Sequence, residues 1–130
     1  MFTDVTERAG IRFTHHNGAT GSKWYPELFG GGVVVLDIDG DAWPDLLFVN
    51  GKEWQPAARP LHGLYRNNRD GTFTDVSAGS AFSAIGSYAL GATVADYDND
   101  GRDDVFVTTV GMTWPRIRTR SRPSVPPRMT

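Results

Sequence analysis

The chain has no cysteine, so no disulfide framework holds it together and nothing in it marks a redox compartment. No apolar run approaches the roughly 18 residues of a membrane span, which excludes a helical anchor within these 130 residues. Met1 leads straight into the strand-like "FTDVT", so no signal peptide is expected at this end. Long helical periodicity is missing too. There is no G-x-S-x-G, no phosphate-binding glycine loop and no thiol, hence no nucleophile constellation. The expectation is a protein that is not an enzyme.

What is present is short and turn-rich. Fifteen glycines and eight prolines punctuate brief runs of Val, Leu, Phe and Trp, and 39% of residues are hydrophobic. That composition predicts many short strands around a small core. The net charge of -2 hides an asymmetry. Residues 1–111 hold all 15 acidic residues and 8 basic ones, whereas residues 112–130 hold five arginines and no acid. A basic arm after an acidic body raises nucleic-acid binding as a question. Among its aromatic residues the arm has only Trp114, so no nucleic-acid partner is expected. No membrane insertion is expected either.

The sequence repeats itself. "VVVLDIDGDAWPDLLFVNG" at 33–51 aligns with "ATVADYDNDGRDDVFVTTVG" at 92–111, an offset of 59, and "FTDVT" at 2–6 recurs as "FTDVS" at 73–77. One full unit is predicted at 32–79. Its strands fall at Gly32–Leu36, Leu46–Asn50, Leu64–Asn67 and Phe73–Val76, with the acidic loop Asp37–Asp45 between the first two. Asp70-Gly71 is a strong hairpin signal between the last two. Four antiparallel strands in about 45 residues match one β-propeller blade. A partial second unit is expected at 80–111, starting its first strand at Leu90 and ending its second near Val110. Residues 1–31 read as an N-terminal strand at "FTDVT" and a lead-in loop with one short strand near Arg12–Thr14. The fold class is therefore all-β: an incomplete β-propeller with one full four-stranded blade and part of a second. In 112–130 the expected third strand is not recognisable. That segment reads as a disordered basic arm or as an out-of-frame end, and the break inside a repeat unit favours the second.

The acidic loops carry the chemistry. Asp37, Asp39, Asp41 and Asp45 stand at positions 1, 3, 5 and 9 of the first loop, and Asp96, Asp98, Asp100 and Asp104 at the same positions of the second. Alternate residues of a tight loop converge on one point. Hard oxygens converging this way suit Ca²⁺, which takes 6–8 of them at about 2.3–2.6 Å. A backbone carbonyl at position 7, from Trp43 or Arg102, would add to the set. A cation would cancel the mutual repulsion of the carboxylates. A helical EF-hand is excluded because its position 12 must be Glu, and here it is Phe48 or Val107 with β-rich flanks. A solvated acidic turn without metal is the bland alternative. Position 6 is Gly101 in the second loop but Ala42 in the first. A left-handed Ala would cost roughly 1 kcal/mol, so the first loop is expected to bind more weakly or to shift its turn.

The stretches "FTDVTERAGIRFTHHNG" (2–18), "PELFGGGVVVLDIDGD" (26–41), "LYRNNRDGTFTDVS" (64–77) and "YALGATVADYDNDGRDDVFVT" (88–108) resemble the FG-GAP/VCBS-type repeat family of calcium-loop β-propellers. More narrowly, they resemble the N-terminal part of the cartilage acidic protein and ASPIC/UnbV group. The resemblance implies a secreted, surface or periplasmic setting. It also implies a calcium-stabilised propeller that offers its loops to a protein or glycan partner in adhesion or recognition. Two other roles stay open at this point: a non-catalytic part of a larger secreted enzyme, or a non-functional truncated product.

Other residues have plainer readings. His15-His16 lack a further ligand cluster, since His62 is isolated, and a loop hydrogen-bonding role is expected. Asn67, Asn68 and Asp70 fit a hairpin turn. Trp24, Trp43 and Trp54 are expected to pack rather than stack on sugars, with Trp43 partly exposed. Glu27 and Asp4 would form an acid/base pair only if the fold brought them together.

Overall fold

The structure is a computed structural model that describes residues 1–55 and 61–111 in full and the backbone of 113–118. Seven strands form two antiparallel sheets. The first contains β1 (Val33–Leu36), β2 (Asp45–Phe48), β3 (Gly63–Asn67) and β4 (Phe73–Asp75), in that order. The second contains β5 (Ala89–Ala95), β6 (Asp104–Thr109) and β7 (Thr113–Arg118). This is the predicted all-β architecture: one complete blade and part of another.

β-Branched runs such as Val33–Val35 favour the pleated, half-buried backbone of a strand. Register then assigns the faces. Val34 lies opposite Leu47 and Leu47 opposite Leu64, while Val33 lies opposite Phe48 and Val35 opposite Leu46. The Val34 face of the first sheet packs on the Ala92, Val94, Val105 and Val107 face of the second. Leu36, Leu47, Val49 and Leu64 fill this layer, with Phe82 and Ile85 from the connecting segment. The core therefore lies between the blades. On the far side of the first sheet, Phe13 stacks on Phe48 at 4.8 Å between ring centroids, and Phe48 meets Tyr65 edge-on.

Strand ends depart from expectation by one or two residues, as helix and strand ends generally do. Asn50 lies outside β2 because its side chain and backbone serve other partners. Oδ1 accepts from the His16 N–H, and Nδ2 donates to the Thr14 and Leu61 carbonyls. The Asn50 carbonyl accepts from Ala89 N–H, and its own N–H donates to His62 Nδ1.

Three expectations are corrected. Residues 2–6 form no strand. No sheet edge among the described residues is paired with them, and the chain closes its bonds locally: Ala9 N–H to Val5 O and Ile11 N–H to Thr6 O. Arg12–Thr14 forms no strand either, because side chains take its bonds: the Tyr65 hydroxyl accepts from Arg12 N–H, and Asn50 Nδ2 donates to Thr14 O. The second blade does have a third strand, β7, within the segment read as a structureless tail. It pairs with β6 through Asp104↔Arg118, Val105↔Ile117, Val107↔Trp114 and Thr108↔Thr113. The register shifts between Val105 and Val107, so Pro115 falls within a bulge. There its missing N–H removes no regular ladder bond. A bare edge on β6 would leave backbone groups unpaired, and pairing needs no particular side-chain pattern. The rest of the expected tail, 119–130, lies outside the described residues.

The sheets also approach closely at Gly32. A methyl group there would lie 2.8 Å from Gly91 Cα and 2.9 Å from Ala92 N.

Candidate metal centre

Each acidic loop joins the first two strands of its blade, and both adopt one geometry. In the first, Asp37 Oδ1 accepts from Gly40 N–H (2.7 Å) and Asp41 N–H (3.0 Å), and Oδ2 from Ala42 N–H (2.7 Å). In the second, Asp96 accepts from Asp100 N–H (3.0 Å) and Gly101 N–H (2.8 Å). Asp45 Oδ2 accepts from Ile38 N–H at 2.9 Å, and Asp104 Oδ2 from Tyr97 N–H at 3.1 Å. Three of these four pairs recur at the offset of 59; the Gly40 N–H bond to Asp37 belongs to the first loop.

Backbone signs repeat as well. Gly40 and Ala42 have φ of 77° and 67°, and Asn99 and Gly101 have 57° and 80°. Positions 4 and 6 both require the left-handed region. The turn does not shift around Ala42; the residue takes the strained conformation. Asn99 is tolerated at position 4 because a short polar side chain eases that conformation.

Three carboxylates converge in each loop. Asp37, Asp39 and Asp45 each place an oxygen within 4.8 Å of the others, and so do Asp96, Asp98 and Asp104. Asp45 and Asp104 are each only 1% exposed, because they are the first residues of β2 and β6 and face inward. Burial pushes the Asp45 carboxyl above its ordinary range. N–H bonds from Asn67 and Ile38 oppose that push, and the negative charges of Asp39 and Asp41 add to it.

The other predicted ligands lie differently. Asp41 pairs with Arg69, Nη2 to Oδ2 at 2.6 Å. Asp100 pairs with Arg102. These two acids are not in the converging groups and are countered by guanidinium instead. Each guanidinium is held more firmly in its charged form, by the hydrogen bond and then by the charge of its partner. Trp43 and Arg102 sit in the turns, where their N–H groups bond Asp41 Oδ1 (2.8 Å) and Asp100 Oδ1 (3.1 Å).

Several contributors escaped the sequence reading. Arg69 reaches the first loop from the β3–β4 hairpin. Asn67 N–H donates to Asp45 Oδ1 at 2.8 Å. Asp103 Oδ2 accepts from Asp37 N–H at 3.1 Å, tying the two loops together across the blades. No local signal marks these partners, which lie 22 to 66 residues away.

The remaining candidates resolve into supporting roles. Asn67, Asn68 and Asp70 close the hairpin: Asn67 Oδ1 accepts from Arg69 N–H, and Asp70 Oδ1 accepts from Thr72 N–H. His16 Nε2 lies 3.8 Å from Glu53. Trp54 stacks on Tyr88 at 4.9 Å and donates to Glu27 Oε1 at 2.8 Å. Trp24 and Trp43 are exposed rather than packed. Asp4 caps its own turn at Thr6 N–H, while Glu27 is buried beside Trp54, and no bond among the described residues joins the two acids.

The site chemistry is all hard oxygen, with three carboxylates per loop and a buried member in each. Such a group can hold a cation. Sheets joined through such loops define a propeller-type repeat module. The chain belongs to the FG-GAP-like repeat family: that family's model matches residues 37–107, more than half of the 130 residues. No curated protein and no solved structure is found to match it. An FG-GAP-like repeat is a structural module. No helix among the described residues is long and apolar enough to cross a membrane.

Proposed function

We propose that each loop holds one Ca²⁺ ion and that the ion locks the hairpin between the first two strands of its blade. Asp37, Asp39 and Asp45 would hold one ion, and Asp96, Asp98 and Asp104 the other. The observation that carries this is the twofold recurrence of one convergent carboxylate geometry at a fixed offset. Soft metals are disfavoured because neither acidic loop contains a cysteine or a methionine. Mg²⁺ demands a stricter octahedron and keeps its water, whereas Ca²⁺ adapts to irregular oxygen sets. Backbone carbonyls at Trp43 and Arg102, with Asp41 and Asp100 after release from their arginines, are further ligands in this reading.

Within the family, the reading favours the cartilage acidic protein and ASPIC/UnbV group and a surface or secreted setting. The module acts without catalysis there. It presents propeller loops to a protein or glycan partner. Support comes from the family match and from the bonds by which Asp37 and Asp96 hold the backbone of their own loops.

Isothermal calorimetry of the full chain with CaCl₂ tests the cation. Two binding events are expected, with a thermal midpoint that rises in millimolar calcium and returns on chelation. Asp39→Ala and Asp98→Ala should each remove one event. Absence of calcium heat from folded protein would overturn the proposal.

A further inference from the structure

A cavity of about 400 Å³ lies beside the first acidic loop. Asp39 and Asp41 of the loop form one wall, and Arg66, Asn67, Asn68 and Arg69 of β3 and the β3–β4 hairpin form the other. All of these residues belong to one blade. Arg66 is exposed, and among the described residues its guanidinium has no hydrogen-bond or ion-pair partner. Arg69 holds a left-handed φ of 68°, uncommon outside glycine, and its Nε and Nη2 both reach Asp41 Oδ2, at 3.2 and 2.6 Å. The two amides are already engaged. Asn67 Nδ2 donates to Pro44 O and its Oδ1 accepts from Arg69 N–H. Asn68 Nδ2 donates to Thr72 Oγ1 and its Oδ1 accepts from the Thr74 hydroxyl. The donors left to face a ligand are therefore guanidinium groups.

We infer that this cavity takes an acidic side chain of a partner protein between Arg66 and Arg69, and that it does so only when the first loop holds its cation. The inference rests on the calcium reading above. Asp41 Oδ1 is tied to the Trp43 N–H, so the oxygen a cation recruits from Asp41 is the Oδ2 that Arg69 holds. A divalent cation there also repels the guanidinium. Arg69 is thereby released toward Arg66, and two planar forks can hold one carboxylate by charge-assisted bonds. Charge acts in the same direction. Without the cation, Asp37, Asp39, Asp41 and Asp45 outnumber Arg66 and Arg69 and repel an incoming acid; a divalent ion cancels that excess. A carboxylate side chain fits the lining better than a sugar ring. No aromatic face lines the cavity, and the amides that would read hydroxyl groups are spent on the hairpin. The second loop differs, because Asp100 is paired with Arg102 of the same loop.

Nuclear magnetic resonance of the ¹⁵N-labelled full chain provides the test, with the arginine Nε–H signals as readout and calcium calorimetry on the same samples. The probe is an end-blocked peptide with a single aspartate among glycines and serines. Calcium alone should move the Arg69 signal. The peptide should then shift Arg66 and Arg69 together in CaCl₂ and leave both in place in EDTA. The same peptide with asparagine for aspartate should not bind. Arg66→Gln should weaken peptide binding by about tenfold while the calcium heat persists. If circular dichroism shows that Arg66→Gln does not fold, Arg66→Lys replaces it; that variant keeps the charge, loses the fork and should also weaken binding. Calcium heat with an unmoved Arg69 signal, or with no peptide binding, overturns this inference and leaves the calcium reading standing. So do peptide shifts that are equal in CaCl₂ and EDTA, and a sulfated disaccharide that binds where the peptide does not. Absence of calcium heat overturns both.

Discussion

Gly32 and Gly91 occupy equivalent places in the two units and face each other across the blade contact, 2.8 Å separating the first residue's Cβ position from the second's Cα. Gly32→Ala forces the sheets apart and should lower stability by about 1–3 kcal/mol, the usual range for overpacking. Gly91→Ala is the control: its Cβ would meet only Thr108 Oγ1, at 3.5 Å, an ordinary contact. Urea unfolding of both variants checks this, and equal midpoints would refute it.

Asp39 and Asp45 separate cation binding from folding. Asp45 accepts the Ile38 and Asn67 N–H groups in a buried setting, so Asp45→Ala should destabilise the chain even in chelator, by about 1–3 kcal/mol per N–H left without an acceptor. Among the described residues Asp39 accepts only a 3.2 Å bond from Asp41 N–H, and that N–H also bonds Asp37. Asp39→Ala should leave chelated stability within about 0.5 kcal/mol of wild type while removing the first loop's response to calcium. Denaturation with and without EDTA distinguishes the two.

Ala42 holds a left-handed conformation that Gly101 fills in the other loop. Ala42→Gly removes that strain but gives the unfolded chain more freedom, for a net gain of about 0.5–1 kcal/mol. Gly101→Ala should shift stability the other way by a similar amount. Midpoints moving together in one direction would contradict the shared loop geometry.

His62 titrates against the fold. It is 8% exposed, and its Nδ1 accepts from Asn50 N–H at 3.0 Å, which places its proton on Nε2. Burial pushes the imidazole below its ordinary value of 6.5, and the nearby Ile85 carbonyl opposes this only in part. The unfolded chain therefore takes up a proton before the folded one does. This group's contribution is complete above pH 6.5 and is lost as pH falls from there through the folded value. Urea midpoints compared at pH 7.5 and 5 should fall in acid for wild type and fall less for His62→Gln. An equal fall in both would assign the acid sensitivity elsewhere.

The two clusters of alternating aspartates were legible in the sequence because a tight loop leaves alternate residues few places to point. Membership was legible only in part. Asp41 and Asp100 share the spacing of the others but turn to Arg69 and Arg102, and Arg69 comes from a hairpin that spacing cannot bring near. The third strand of the second blade was missed for a related reason: β7 is held by backbone pairing to β6, which leaves little trace in side-chain pattern. "FTDVT" failed in the opposite sense. It has the composition of the paired "FTDVS", yet no sheet edge among the described residues pairs with it, and composition does not supply a partner.

By itself the sequence determined the period of 59 residues, the short strands and the acidic hairpin loops, because these follow from alternation, turn chemistry and local chain geometry. Tertiary structure alone decided that the core lies between two blades and that their unlike faces meet. It also decided that Asp45 and Asp104 are the buried members of their groups. Those outcomes depend on which distant surfaces exclude water from one another, and burial of that kind is a property of the assembled sheets rather than of any stretch of chain.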